Sequence, residues 1–215
     1  MPYPKHPNRM MYSVPAPVRD LTRSWMTWEM PRGNNTIYLT FDDGPDPKVT
    51  PLVLEILKSH QARATFFLSG RKAEAFPDLV TEIRSQGHSL GNHGYDHLRG
   101  WATPVGKYLD NVSRCASVVE SGLFRPPFGS IGPIQLLRIR RLGYRICMWS
   151  VISRDYDQAV SREACLARCL KHIRDGSVVL FHDTPRASRN CLWVLPRVLA
   201  HFQGRGFRFT SWEQV

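Results

Sequence analysis

The stretch that most restricts the fold is residues 37–41, I-Y-L-T-F, five β-favouring residues with hardly a polar interruption. A strand lying against water alternates apolar and polar residues, so an unbroken run predicts a strand covered on both faces. Asp42 and Asp43 follow at once, and Gly44-Pro45 then forces a turn. The two acids are therefore expected at the carboxyl end of a buried strand, where open α/β sheets and α/β barrels place their active sites. Neighbouring side chains at a strand end point in different directions, so one acid can hold a metal while the other handles protons. An isolated D-D-G-P is more often a polar turn closing a strand, and only the rest of the chain can decide between these readings.

Residues 64–68 (A-T-F-F-L) read as a second strand, and further strands are expected near 89–92, 123–125, 145–151, 177–182 and 207–210. Thr50 and Pro51 form an N-cap and N1 pair, after which Leu52, Val53, Ile56 and Leu57 keep helical spacing. Helices also fit at 78–86, ended by Gly87, and at 107–119, 134–142, 162–173 and 192–202. Each of the seven strands is separated from the next by room for one helix. Repeated units of this kind imply a parallel sheet with right-handed crossovers, either open or closed into a barrel. No linker interrupts the series, so residues 36–215 read as one domain. Residues 1–35 read as an N-terminal surface or lid segment.

The 29 basic and 18 acidic residues leave a net charge of +11, carried by 23 Arg and only 6 Lys. Such a surplus suits an anionic glycan, a membrane surface or nucleic acid. The arginines are scattered rather than massed, which favours a soluble basic surface, and no nucleic-acid motif accompanies them. Their longest cluster is Arg138, Arg140, Arg141 and Arg145. The five cysteines lack framework spacing and read as reduced thiols, with Cys165 and Cys169 filling the core side of a helix. Residues 1–20 are Pro-rich and patternless, and residues 21–30, L-T-R-S-W-M-T-W-E-M, read as a lid over the bottom of the core. A sharper alternative is an interfacial membrane contact through Trp25 and Trp28. Without an apolar leader or span in the sequence, the expected location is cytoplasmic, with a membrane-peripheral place or export by a route not visible in the sequence as the alternatives.

The chemistry-bearing residues fall at predicted strand ends. His93 and His97, four apart in G-N-H-G-Y-D-H, have the spacing of two ligands of one ion, and with Asp43 they leave coordination positions open for water and substrate. R-P-P-F-G supplies Arg125, whose planar fork can grip a carboxylate. V-V-L-F-H-D ends in His182 and Asp183, and the end of so apolar a run suits His182 as a proton donor or acceptor. Asp155 lies near the end of the fifth strand, in R-D-Y.

In order and approximate spacing, T-F-D-D-G-P, H-x-x-x-H, R-P-P-F-G, R-D-Y and L-F-H-D resemble the motifs of polysaccharide deacetylases of the NodB-homology group, carbohydrate esterase family 4. The match spans residues 36–215. The resemblance implies a distorted (β/α)7 barrel. It implies a divalent ion, most often Zn²⁺, on Asp43, His93 and His97, with Asp42 as general base and Arg125 orienting it. It also implies His182 as general acid partnered by Asp155, the Phe128 backbone NH as an oxyanion donor, Leu180 lining an acetyl pocket and Tyr156 in the groove wall. Three positions depart from the family pattern: Gly94 where a Ser or Thr is usual, Phe128 for Tyr, and Tyr156 for Trp. The loss of the hydroxyl at Gly94 bears on the rigidity of the metal loop.

The expected activity is metal-dependent removal of N-acetyl groups from a glycan or glycoconjugate. The alternatives are a related deacylase acting on a small molecule or an O-acetyl ester, and an inactive glycan-binding module. The module would be expected to have lost a ligand or the acid, and here none is lost. A nucleophilic hydrolase is disfavoured because no G-x-S-x-G elbow or reactive-Cys signature occurs.

Overall fold

The computed structural model describes residues 16–212. The chain opens with α1 (Ala16–Thr22), β1 (Thr36–Asp42), α2 (Thr50–Ser59), β2 (Thr65–Leu68), α3 (Gly70–Ala75), α4 (Pro77–Ser85) and β3 (Ser89–Asn92). It continues with α5 (Val105–Ala116), β4 (Leu123–Phe124), α6 (Pro133–Arg141), β5 (Arg145–Ile146), β6 (Val151–Ile152), α7 (Arg162–His172), β7 (Val178–His182), α8 (Pro185–Gln203) and β8 (Arg208–Thr210). The Pro-rich stretch 1–15 lies outside the described residues.

The strands pair in parallel in the order β5-β4-β3-β2-β1-β7-β6, with β8 on β1. One edge of β1 pairs with β8 over Thr36–Tyr38 and with β2 over Thr40–Asp42, so the last strand enters between the starts of the first two. The result is the curled, distorted (β/α)7 barrel expected from the sequence.

Alternation along β1 explains its unbroken apolar run. Ile37, Leu39 and Phe41 are wholly buried outward against helix residues such as Val53, Leu57, Val194 and Val198. Each such burial is worth about 1.5–3 kcal/mol. The intervening Tyr38 packs with Phe67, Leu123, Cys147, Val178 and Trp212, which come from around the ring and fill its lower interior. Thr40 and Asp42 continue that inward face, and there the filling becomes polar.

One expected strand is corrected. Residues 145–151 form not one strand but β5 and β6, with a break between them. The first half bonds to β4 through Cys147 N to Phe124 O, and the second to β7 through Ser150 N to Val178 O, so this segment closes the ring. The cause of the break is Arg125, whose Nε and Nη2 take the carbonyls of Cys147 and Met148, both at 2.9 Å, away from a regular ladder.

Thr27 bridges to Cys147, just past β5, and Glu29 to Ser177, just before β7, which lays this part of the N-terminal segment along the sheet. Trp28 is buried there with Met148, Ile146 and Phe124, while Trp25, three residues earlier, stays exposed. The five thiols are buried and free, and burial raises the pKa of each, as suits reduced core residues. No described helix is long and apolar enough to cross a membrane.

Candidate active site

At the exit of β1 the chain turns sharply, and Asp43 adopts a left-handed φ of 73°. Gly44 is required here by close approach. A Cβ on it would lie 2.2 Å from Oδ2 of Asp183, the residue that follows β7. Asp183 is wholly buried, accepts a hydrogen bond from Thr50, and is pushed up to about 7 by that burial. It props the D-D-G-P turn from below.

Asp42 and Asp43 separate as their adjacency predicts. Asp42 turns inward, where Oδ1 accepts from Arg125 Nη1 at 2.7 Å. Arg125 is fully buried, also donates to Thr40 Oγ1 at 2.8 Å, and has its guanidinium 4.0 Å over the Phe67 ring. Its fork is thus fixed on every side, and Asp42 is aimed by it.

Asp43 turns toward the loop after β3. Its Oδ1 lies 2.9 Å from His97 Nε2 and 3.4 Å from His93 Nε2, yet this buried oxygen has no properly formed hydrogen bond. The donor atoms of Asp43, His93 and His97 all lie within 4.8 Å of one another. Burial works against ionising Asp43, but the two facing imidazoles outweigh it and hold the carboxyl well below its usual range. His93 Nδ1 lies 2.8 Å from the Arg125 carbonyl oxygen, which accepts its proton and leaves Nε2 toward the cluster. A convergent carboxylate oxygen without a proton donor, flanked by two imidazole nitrogens, fits a divalent ion such as Zn²⁺.

His93 and His97 lie not on a helix but in an irregular loop, in which Gly94 (φ 73°) and His97 (φ 54°) are both left-handed. The hydroxyl missing at Gly94 has a replacement. Asn92 Oδ1 accepts from Gly94 N at 2.8 Å, and Asn111 Oδ1 on α5 accepts from Tyr95 N at 2.9 Å and Asp96 N at 3.1 Å. Asn111 Nδ2 also donates to Asp96 Oδ2 at 2.8 Å. Asn111 belongs to none of the motifs above. The signal was a polar residue within the otherwise apolar stripe Tyr108, Val112 and Cys115 of α5.

On the other side, His182 is the cross-strand partner of Asp42. Its Nδ1 lies 2.8 Å from Asp155 Oδ1, and its backbone N donates to Asp155 Oδ2 at 2.7 Å. Burial disfavours the imidazolium, but the Asp155 carboxylate outweighs it and His182 is pushed up to about 9. Tyr156 sets its ring edge-on to His182 at 4.9 Å. Leu180, two residues before His182 on the same strand face, is buried. Phe128 has a left-handed φ of 60° and an exposed ring, which lies 4.4 Å from the His97 ring and carries the Arg99 guanidinium at 4.3 Å.

A parallel barrel with carboxylates and histidines converging at its strand exits has the place and the groups of an active site that can hold a metal and move protons. Residues 29–147, just over half of the chain, match the polysaccharide deacetylase family model. A peptidoglycan-N-acetylglucosamine deacetylase of Bacillus cereus is 32% identical over 197 residues, covering 89% of this chain and 92% of that protein. A chitooligosaccharide deacetylase of Azorhizobium caulinodans is 34% identical over 194 residues, covering 82% and 92%. A solved peptidoglycan N-acetylglucosamine deacetylase, in complex with 4-naphthalen-1-yl-N-oxidanyl-benzamide, superposes with a TM-score of 0.82 at 31% identity, covering 86% of this chain and 89% of that one. This chain belongs to the polysaccharide deacetylase family, the NodB-homology group of carbohydrate esterase family 4, and is a carbohydrate deacetylase by class.

Proposed function

We propose that the chain is a metal-dependent N-deacetylase of a glycan built from N-acetylated amino sugars, releasing acetate and leaving a free amine. The observation that carries this reading is the division of labour between adjacent acids. Asp43 joins His93 and His97, whereas Asp42 is withheld from them by Arg125, with its second oxygen 3.7 Å from His93 Nε2.

Asp43, His93 and His97 would hold the ion, which when bound acidifies a water and polarises an acyl oxygen. Asp42, beside the cluster and oriented by Arg125, takes the proton of the attacking water. His182, protonated at neutral pH and held through Nδ1 by Asp155, gives a proton from Nε2 to the departing nitrogen. An amide needs this donor, because an unprotonated amine is a very poor leaving group. The backbone NH of Phe128 supports the oxyanion, Leu180 lines the acetyl-methyl pocket, and Tyr156 forms part of the groove wall.

The names of the relatives point to peptidoglycan or chitooligosaccharide as substrate class, and the +11 charge is compatible with an anionic glycan or precursor. We place the chain in the cytoplasm or at a membrane face, acting on a lipid-linked or nucleotide-linked precursor; cell fractionation finding it wholly secreted contradicts this. The activity is tested by acetate release from N-acetylglucosamine oligomers after chelation and again after Zn²⁺ is restored. Release should stop and return, and Asp42→Asn should abolish it. Full activity in Asp42→Asn, or in the chelated protein, overturns the assignment.

A further inference from the structure

On the side away from the acids, where β4 and β5 begin, a recess of about 430 Å³ opens between the N-terminal segment and the end of α6. Arg23, Arg140 and Arg145 line it together with Trp25 and Tyr144, and none of its lining residues is acidic. The Arg140 guanidinium lies 5.0 Å over the Trp25 ring. Among the described residues, Arg23, Arg138, Arg140 and Arg141 are exposed and form no ion pair with a carboxylate. Arg138, Arg140 and Arg141 share the last turn of α6, and Arg23 faces Arg140 across the recess, so an anionic surface that covers these unneutralised cations is favoured by charge.

The segments that border the recess also expose apolar side chains. Leu21 on α1 is 81% exposed, Trp25 in the recess 43%, Ile134 and Leu137 on α6 58% and 38%, and Leu142 just after α6 57%, which makes five of the eight large apolar side chains exposed among the described residues. On α6 the positions Ile134, Leu137, Arg138 and Arg141 share one outward stripe by their spacing of three and four. A soluble polyanion has no use for exposed Leu, Ile and Trp, and burying them would require a partner with an apolar layer beneath its charges. Arginines that reach phosphates while Trp and Leu enter the layer below are the pattern of an interfacial contact.

We propose that this face, built from the end of α1, residues 23–26 and the outer side of α6, docks on the anionic surface of a lipid bilayer. The two tryptophans of the N-terminal segment then divide their tasks. Trp28 is buried in the lid with its Nε1 donating to Thr22 Oγ1 at 2.8 Å, and Trp25 faces the lipid. The strand exits carrying Asp42 and His182 would open away from the membrane, toward a glycan standing off it. This inference does not depend on the proposed deacetylation.

Cosedimentation of the full chain with vesicles tests it, comparing phosphatidylglycerol mixed equally with phosphatidylcholine against phosphatidylcholine alone. The protein should pellet with the mixed vesicles, not with the neutral ones, and should be released as salt rises. Arg140→Gln and Arg141→Gln should each weaken partitioning about fivefold. Trp25→Ser with Leu142→Ser should weaken it by a similar factor or more without altering net charge. All four positions are exposed and remote from the strand exits, so far-ultraviolet circular dichroism and the melting midpoint should not move. Equal pelleting with both vesicle types, or no pelleting, overturns the proposal. So does binding that responds to the arginine variants but not to the Trp25-Leu142 pair and is matched by soluble polyphosphate, since the face would then read an acidic polymer.

Discussion

Asp43 and Asp155 both meet histidine, and the manner of meeting differs. Asp155 is engaged on both oxygens by His182, through Nδ1 and the backbone N, and its Oδ1 also accepts from Tyr156 N at 3.0 Å. That closed arrangement orients one imidazole and raises its proton affinity. Asp43 instead presents one oxygen to two Nε2 atoms at 2.9 and 3.4 Å without a formed hydrogen bond to either. That open arrangement brings a carboxylate oxygen and two imidazole nitrogens together where a cation can take them. In the proposed reading the same residue types make a proton carrier on one side of the barrel mouth and an ion cradle on the other. Backbone position decides which: Asp155 sits where the β7 amide can also reach it, whereas Asp43 sits on a left-handed turn held clear of it.

The comparison breaks first at the cradle. His97→Ala should lower deacetylation about a thousandfold or more, since the loss of an ion that stabilises the reaction by several kcal/mol has that size. It should also remove the rise in melting temperature on adding Zn²⁺, which a purely structural role for the imidazole would leave intact. Next, Asp155→Asn should cut kcat by about 10²–10⁴-fold and bring the alkaline limb of the rate profile down toward neutrality. The sign follows from His182, whose pKa rises from 6.5 to about 9 on folding. The stabilisation carried by the Asp155–His182 pair is complete below 6.5 and is lost as pH climbs through about 9, so chemical denaturation at pH 7 and pH 10 should show it.

Arg125→Met strands the buried Asp42 carboxylate without its partner and should cost about 3–5 kcal/mol of stability, or roughly 10 °C in melting temperature by calorimetry. The smallest effect is expected at Asn111. Asn111→Ala leaves Tyr95 N and Asp96 N without the side-chain acceptor that braces the histidine loop, and Zn²⁺ affinity in a chelator competition should weaken about 10–100-fold. Unchanged affinity would mean that the loop is held by Asn92 and the backbone alone.

Much of this was legible in the chain. β1, β2 and β7 are short buried strands whose apolar runs have few other uses, and the acids and histidines at the strand ends meet because parallel strands share an exit. What stayed hidden depends on contacts between distant residues. The break between β5 and β6 is made by a guanidinium from the end of β4, which no local pattern announces. The helix α3 is six residues of Gly, Arg, Lys, Ala, Glu and Ala without apolar periodicity, and it forms where Gly70 packs against Tyr95 and Cys115. The helix expected at 192–202 begins at Pro185, because its first two turns are polar and are tied in by Asn190 Nδ2 donating to the Asp155 carbonyl at 3.2 Å. Asp183 could be seen at a strand end, but its role under Gly44 could not, since it rests on a contact across 139 positions of sequence.

The most direct test of the account is calorimetric titration of Zn²⁺ into chelated protein, run side by side on the wild type, Asp43→Ala and Asp155→Ala. One ion per chain is predicted for the wild type and for Asp155→Ala, with binding lost in Asp43→Ala. Retained binding in Asp43→Ala, or its loss in Asp155→Ala, would contradict the assignment of ion cradle and proton carrier to these two groups.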